Sequence, residues 1–345
     1  MEKLKIGITG YGKMGKIREN SVISSEDVSL VSIFDIKQVG DRKDVILCSS
    51  FEELLNTDID AVFISSYVNS NADYTIKALE AGKHVFCEKP PAMNQQELLE
   101  VERVYKNNSL ILKYGFNHRL HHSVMKAKEI INNGKMGRLL WMRGVYGKAG
   151  SIDFNQEWRN YKKFSGGGIL MDQGIHMLDL FRYFANQEFD CLSSHVSTEY
   201  WDIENEDNVF LLLKSKDGII ASMHSTANQW RHKFLLEMTF ESGYINLDGL
   251  VTSTGSYAPE KLIYGYREFE DISVAMGKPS ETTVYFEKDN SWNLELKEFV
   301  SAIRGNTNIE NGSINDAKEI ISLIDNIYSK DISFQKDDNR DLDVK

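Results

Sequence analysis

Along the first third of the chain, short apolar runs alternate with amphipathic stretches. LKIGIT, VSLVSIFD, VILCSS, DAVFISS, KHVFCE and SLILKYGF read as six strands. Between them, KMGKIRENSVIS, FEELLN, ADYTIKALEAG and NQQELLEVERVYKNN read as helices. The third of these closes on Gly82, the residue type that most easily takes the left-handed conformation at a helix end. Strands alternating with helices predict a doubly wound α/β unit, a parallel sheet with helices on both faces.

The pattern changes after about Asn117. A helix, SVMKAKEIINNG, leads into longer β-rich runs: GRLLWMRGVYG, LSSHVSTEYW, DNVFLLLKSKDG, GIIASMHSTAN, FLLEMTFESG and YINLDG. Short turns such as Lys216-Asp217-Gly218 and Ser242-Gly243 join several of them, so hairpins and a mostly antiparallel sheet are expected. One helix interrupts the run at about Gly167 to Tyr183, and WNLELKEFVSAIRG and INDAKEIISLIDNIYSK are two more at the end. The tail from Asp331 reads as polar and loose. At 345 residues the chain is long for one core. The expected division is an α/β domain over 1–118 and an α+β domain over 119–345.

Three glycines, Gly10, Gly12 and Gly15, follow the first strand and open the first helix. An acid, Asp35, ends the second strand about 20 residues further on. In that context Gly10 serves a tight turn and Gly12 lets the backbone approach a pyrophosphate. Gly15 lets the helix pack close to the sheet. The first helix amides, at Lys13 and Met14, then face the anion. Asp35 would accept from the adenosine ribose hydroxyls and repel a 2′-phosphate, which favours NAD over NADP. The bland alternative is a plain turn and a strand-capping acid.

Composition narrows the classes. The formal net charge is −11, and no basic cluster interleaves with aromatics, which argues against a nucleic-acid partner. Cys48, Cys87 and Cys191 are far apart and lack metal-ligand spacing, so a disulfide framework is not expected. No apolar run is long enough to span a bilayer, and the chain starts directly on a strand-like run. The expectation is a cytoplasmic protein with no membrane partner.

Two further stretches carry chemistry. In AGKHVFCEKPPA, Lys89 follows a strand's carboxyl end, where open α/β sheets bind ligands. It can donate to a substrate hydroxyl, or move a proton if burial depresses its pKa. In SGGGILMDQGIHMLDLF, regular helix geometry puts Asp172, His176 and Asp179 within an arc of roughly 60°. A histidine and an acid one turn apart suit proton transfer. No third metal ligand has recognisable spacing, so no metal is expected. A solvated lysine and a polar stripe with a structural histidine are the alternatives.

The glycine loop, Glu88-Lys89-Pro90 and the run Asp172-x-Gly174-x-His176-x-x-Asp179 occur together in this order. The chain resembles the glucose–fructose oxidoreductase / inositol dehydrogenase / rhizopine-catabolism (Gfo/Idh/MocA) family over nearly its whole length, with ALEAGKHVFCEKPPA especially typical. The resemblance implies a Rossmann domain followed by an α+β domain with a large open sheet. It implies that Lys89, Asp172 and His176 line the catalytic site, with the nicotinamide above them. The cofactor contacts it suggests are Ser65, Ser66, Glu88 and Lys89, added to the glycine loop and Asp35. Glu157-Trp158-Arg159 resembles stretches that close over the substrate. Asn117, Arg119, Tyr146, Trp158 and Arg159 are expected to contact the substrate with Asp172 and His176. Two departures stand out. Ser66-Tyr67-Val68 and Ser70-Asn71 replace the family's usual Thr-Pro-Asn and Leu-His. Asn117-His118-Arg119-Leu120-His121-His122 is richer in histidine than usual; His121 and His122 read as ordinary helix-start residues, and His195 and His232 have no supporting context.

These features add up to an expected NAD-dependent oxidoreductase acting on a carbinol of a sugar-like substrate. His176 is the expected base, Lys89 the hydroxyl polariser and Asp172 the group that orients them, with the roles of Lys89 and His176 open to exchange. An NAD-retaining glycosidase and a non-catalytic sensor are the other classes. The aromatic and cationic loop from Tyr146 to Phe164, with Lys148 and Arg159, favours a nucleotide-linked or acidic sugar over a neutral cyclitol. Val209 through Leu213 are all apolar, which implies cover on both faces of that strand and hence a homodimer or homotetramer.

Overall fold

The computed structural model describes residues 2–40, 42–151, 153–267 and 280–331. Two compact units divide the chain. The first holds Met1–Asn117, Lys163–Gly166 and Asn290–Ser322; the second holds His118–Lys162, Gly167–Asp289 and the chain from Leu323. The sequence reading cut the chain once, at 118/119; the contacts carry two later segments over to the first unit. The tail beyond Asp331, expected to be loose, lies outside the described residues.

The first unit runs β1 (Leu4–Thr9), α1 (Lys13–Ile23), β2 (Val28–Phe34), β3 (Ile46–Cys48), α2 (Phe51–Leu55), β4 (Ala61–Ile64), α3 (Val68–Glu80), β5 (His84–Cys87), α4 (Gln95–Tyr105) and β6 (Leu112–Tyr114). All neighbours in the sheet are parallel, in the order β3-β2-β1-β4-β5-β6. The four residues of β4 are apolar without alternation because both faces are covered, and all four are buried. Strand order reverses between β1 and β4, so the crevice at their carboxyl ends is the switch point where such sheets bind ligands. Helix α3 starts at Val68, four residues ahead of the predicted run.

There follow α5 (His122–Asn132), β7 (Leu139–Ala149), the one-turn α6 (Lys162–Ser165), a π-helical turn (Leu170–Gly174) and α7 (Ile175–Ala185). Next come β8 (Phe189–Ser197), β9 (Asn208–Ser215), β10 (Ile220–Thr226), β11 (Asn228–Phe240), β12 (Gly243–Asp248), β13 (Glu260–Tyr266) and β14 (Glu281–Phe286), then α8 (Ser291–Ile303) and α9 (Ile314–Lys330). Helix α8 completes the first unit's core. Its Leu296, Phe299 and Val300 pack with Ile6, Ile8, Val22, Phe63 and Phe86. The Phe299 ring lies 5.8 Å from Phe63 and 5.6 Å from Phe86. Each such burial stabilises by about 1.5–3 kcal/mol.

The second unit is built on an eight-stranded sheet in the order β14-β13-β12-β11-β7-β10-β9-β8. All pairs are antiparallel except β7 with β10, which run parallel. Strands β13 and β14 were not visible in the apolar pattern. Helix α7 crosses β7 at Gly144, where a Cβ would stand 2.6 Å from the Met177 sulfur and 3.0 Å from the Phe181 ring. The β9 run, all apolar from Val209 to Leu213, alternates in the structure. Val209, Leu211 and Leu213 are buried, whereas Phe210 is 48% and Leu212 40% exposed. Within one chain only one face of β9 is covered.

Candidate active site

A nucleotide cradle lies in the first unit. Gly10 has φ +80°, and a Cβ there would stand 2.4 Å from the Ser65 carbonyl. Only glycine permits that turn against the end of β4. A Cβ on Gly15 would meet the Gly10 carbonyl oxygen at 2.2 Å, so the helix starts hard against the loop. Gly12 caps α1 without a side-chain hydrogen bond, and a Cβ on it would meet nothing within 4 Å. The first amides of α1, at Lys13 and Met14, therefore open onto free space at a helix N-terminus, a ready anion site. Asp35 is held at this loop, with Oδ2 accepting from the Tyr11 amide (2.5 Å) and Oδ1 from the Lys37 amide (2.7 Å). Ser65 follows β4, its amide donating to the Thr9 carbonyl (2.8 Å), and Ser66 Oγ lies 3.4 Å from Thr9 Oγ1. The cradle, the acid and the two serines thus meet at the switch point and fit a dinucleotide with free ribose hydroxyls.

Glu88 and Lys89 leave β5 on the same edge. The Glu88 carboxylate faces inward and takes Arg18 Nε at 2.6 Å. Arg18 donates through its other arm to Glu295 of α8, also at 2.6 Å. The guanidinium lies over the Phe86 ring (4.1 Å) and the Trp292 ring (4.8 Å). Burial pushes the Glu295 carboxyl up, against the pull of Arg18 and Lys113. Glu88, expected among the cofactor contacts, is therefore placed as an anchor of the Lys89 loop. That loop is tied again by Asn71 Nδ2, which donates to the Pro90 carbonyl at 2.8 Å.

The acid and histidine singled out by the sequence lie in the second unit. The regular helix assumed in the sequence reading does not hold: Leu170–Gly174 is a π turn. Such turns widen the spiral locally and are frequent at functional sites. Asp172 and His176 therefore do not follow the spacing of a regular helix. Asp172, half-buried, meets Arg159 Nε at 3.4 Å and Lys148 Nζ at 3.6 Å. Lys148 also lies 3.7 Å from Glu157, and the Arg159 guanidinium stacks over Trp158 at 4.5 Å. His176 is buried and stacks on His118, whose Nε2 is 3.0 Å from the Tyr146 hydroxyl. Burial raises the Tyr146 phenol well above its ordinary value, so it stays neutral. Tyr257 joins the two clusters: its hydroxyl accepts from Gln173 Nε2 at 2.8 Å, and its ring meets Tyr146 edge-on at 5.4 Å.

Of the residues expected to touch substrate, Tyr146, Trp158, Arg159, Asp172 and His176 lie in this linked cluster. Arg119 is placed elsewhere, in a two-pronged buried pair with Asp179 (2.6 and 2.8 Å). Asp179, expected on one helix face with Asp172 and His176, pairs with Arg119. Asn117 donates to the Ser291 hydroxyl at 3.0 Å. Sequence reasoning missed Gln173, Tyr257 and the stacking of His118 on His176. It noticed Lys148 only as one of several loop cations; its signal was its position two residues after Tyr146, hence on the same face of β7. Tyr257 lies between β12 and β13, where no pattern marks it. Among the described residues no three His, Cys, Asp or Glu side chains are grouped to hold a metal ion, and no helix is long and apolar enough to cross a membrane.

A model described as oxidoreductase family, NAD-binding Rossmann fold, matches residues 4–116. A model of the GFO/IDH/MocA C-terminal domain matches residues 124–246. The chain is 28% identical over 228 residues to the myo-inositol 2-dehydrogenase of Thermotoga maritima, covering 63% of this chain and 66% of that protein. It is 29% identical over 198 residues to the levoglucosan dehydrogenase of Pseudarthrobacter phenanthrenivorans, 50% of each. The matched stretches span from half to just under two thirds of these curated relatives' length. A solved levoglucosan dehydrogenase in complex with NADH and L-sorbose superposes with a TM-score of 0.84 at 22% identity, covering 98% of each chain, and shares the fold. With the two halves of one family matched in order over about two thirds of its length, the chain belongs to the GFO/IDH/MocA oxidoreductase family, and its first unit is an NAD-binding Rossmann fold.

Proposed function

We propose that the chain oxidises a secondary hydroxyl of a sugar or sugar derivative with NAD, or runs the reverse reduction. The observation that carries this reading is the company of the cradle: a chain with Asp35 fixed at its glycine loop also holds Asp172 and His176 in one polar cluster. The bound nicotinamide would supply the hydride acceptor. The chain's own residues must bind the sugar, orient its carbinol and move one proton. His176 takes the hydroxyl proton as general base. Lys89 is the hydroxyl polariser, a task that suits a compact ammonium on an anchored loop. Asp172, flanked by Lys148 and Arg159, orients the reacting group. Lys89 and His176 exchange roles if the base proves to be the lysine.

The charge balance bears on the substrate. Lys148 and Arg159 already face two carboxylates, Asp172 and Glu157. A cluster of two cations and two anions attracts a neutral polyol through hydrogen bonds more readily than a phosphate or carboxylate. A neutral sugar, glycoside or cyclitol is therefore the favoured substrate, in place of the nucleotide-linked or acidic sugar expected from the loop's cations alone. The sugar names of the two curated relatives support the same class. Neither the glycosidase nor the sensor reading gains support from the site. The test is a panel of free sugars, glycosides, cyclitols, sugar acids and nucleotide sugars incubated with NAD while NADH is followed. Turnover of neutral polyols alone bears out the proposal. Turnover confined to nucleotide sugars or sugar acids would overturn the substrate part, and no NADH with any of them would overturn the activity.

A further inference from the structure

His118 and His176 stack face to face, with ring centroids 3.7 Å apart and planes inclined by only 17°. Both are buried, at 6% and 4% exposed. His118 precedes α5 and is tethered at Nε2 by the Tyr146 hydroxyl. Tyr146 is itself wedged edge-on between the rings of Tyr257 and Phe234, at 5.4 and 5.2 Å. A ring clamped in this way sets the plane of the ring lying on it.

We propose that His118 is a positioning residue for His176: it fixes the plane of that imidazole and, by competing with it for a single proton, keeps it a free base. The inference rests on the reading of His176 as the general base.

Stacked rings have no N–H···N path between them, so they do not pass a proton to one another. They do share a cost: a cation on one ring disfavours a cation on the other, and the pair titrates as a unit. Several charged groups around the pair are matched by others. On the segment of His118, Arg119 is matched by Asp179 of α7. His121, with its ring 5.3 Å from His118, donates through Nδ1 to Glu260 of β13. From β7 comes the Tyr146 phenol, and from the β12–β13 connection the Tyr257 phenol; burial raises both and keeps them neutral. His232 of β11 stands behind Tyr257, its ring edge-on at 4.7 Å, and burial lowers its pKa. In the π turn, Asp172 is met by Lys148 and Arg159.

The experiment is a pH titration of the full-length protein carrying histidine labelled with carbon-13 at Cε1, followed by NMR. His118→Phe, His118→Arg and His176→Asn provide the assignments. In the wild type, the His118 and His176 resonances should each move in two steps, because each ring senses the other's proton. His118→Phe keeps a flat ring on His176, removes the competing charge and offers a π face that favours a cation. The His176 midpoint should then rise by about one pH unit, a tenfold loss of free base at a fixed acid pH. His118→Arg installs a permanent charge, and the midpoint should fall by a similar amount. A residue that only fills space would move both variants the same way. Single-step, independent titration of the two rings in the wild type would overturn the proposal even if no variant folds. So would midpoints that shift in the same direction in the two variants. If the midpoints shift oppositely while no sugar yields NADH, the ring coupling stands and the dehydrogenase reading falls.

Discussion

Asp35 is the residue on which we expect cofactor choice to turn. Its carboxylate is pinned by two backbone amides beside the glycine loop, so it cannot swing away from a ligand that dislikes it. A 2′-phosphate would bring a second anion against it, whereas ribose hydroxyls would donate to it. We expect NAD to bind more tightly than NADP, and Asp35→Ser to narrow or reverse the difference. Titration of both cofactors against both proteins checks this, and a wild type that prefers NADP removes Asp35 from the ribose. The residues proposed to move the proton make a separate prediction. Lys89→Met and His176→Leu should each lower turnover by about 100-fold or more, the usual range for lost acid–base catalysis, with NAD affinity little changed. Near-normal kcat in both variants, measured on the best sugar of the panel, would end that assignment.

At the scale of elements, Glu260 shows how one carboxylate joins three segments. It opens β13 and is fully buried. It accepts from His121 Nδ1 (3.0 Å), the Ser123 amide (3.0 Å) at the start of α5 and the Val251 amide (2.9 Å) after β12. Burial opposes its charge, but His121 and the amide donors outweigh burial and bring it from 4.5 down to about 2. A carboxylate depressed in the folded state stabilises fully above its unfolded value. That stability is lost as pH falls from about 4.5 towards 2. The shift corresponds to about 3 kcal/mol. Glu260→Gln should therefore lower stability at neutral pH by a sizeable part of that amount and flatten the acid limb. Denaturant melts of both proteins between pH 7 and pH 3 read it; parallel curves would mean that Glu260 contributes no charge-dependent stability.

Elements also show what the chain reveals about itself and what it hides. Six parallel strands were legible because buried strands are short, apolar and bounded by helical periods. The glycine loop and Asp35 were legible because their spacing is dictated by a turn, a helix start and a strand end. Strand β14 was not, since Glu281, Thr282 and Thr283 are exposed and carry no apolar face. Nor was the π turn: one extra residue in a spiral leaves no compositional trace, yet it redirects Asp172 relative to His176. The stacking of His118 on His176 joins residues 58 positions apart, which local spacing cannot foretell.

For the whole molecule, the outer face of the second sheet is the feature that demands company. Phe210 and Leu212 on β9, Leu192 on β8 and Trp141 on β7 are all at least 40% exposed. Large apolar side chains gathered on one open sheet face mark an association surface. We expect a homodimer or homotetramer joined through it. Light scattering at micromolar concentration tests this, and Phe210→Lys with Leu212→Lys should shift the mass towards the monomer. A wild-type monomer would refute the surface's role.

The place of α8 in the first core has a consequence for the order of biosynthesis. Leu296, Phe299 and Val300 close a core whose sheet is finished by Tyr114. Glu295 supplies the second carboxylate of the buried Arg18, which would otherwise face Glu88 alone. The segment that encodes the missing wall leaves the ribosome only after every strand of the second sheet. A nascent chain therefore carries an open, apolar Rossmann half for more than half of its synthesis, exposed to chaperones and to its own neighbours. A fragment ending at residue 118 should accordingly stay aggregation-prone and protease-sensitive, and supplying a peptide of residues 290–322 in trans should restore protection. If the fragment alone resists proteolysis as well as the full chain does, α8 is a latecomer that the first domain does not need.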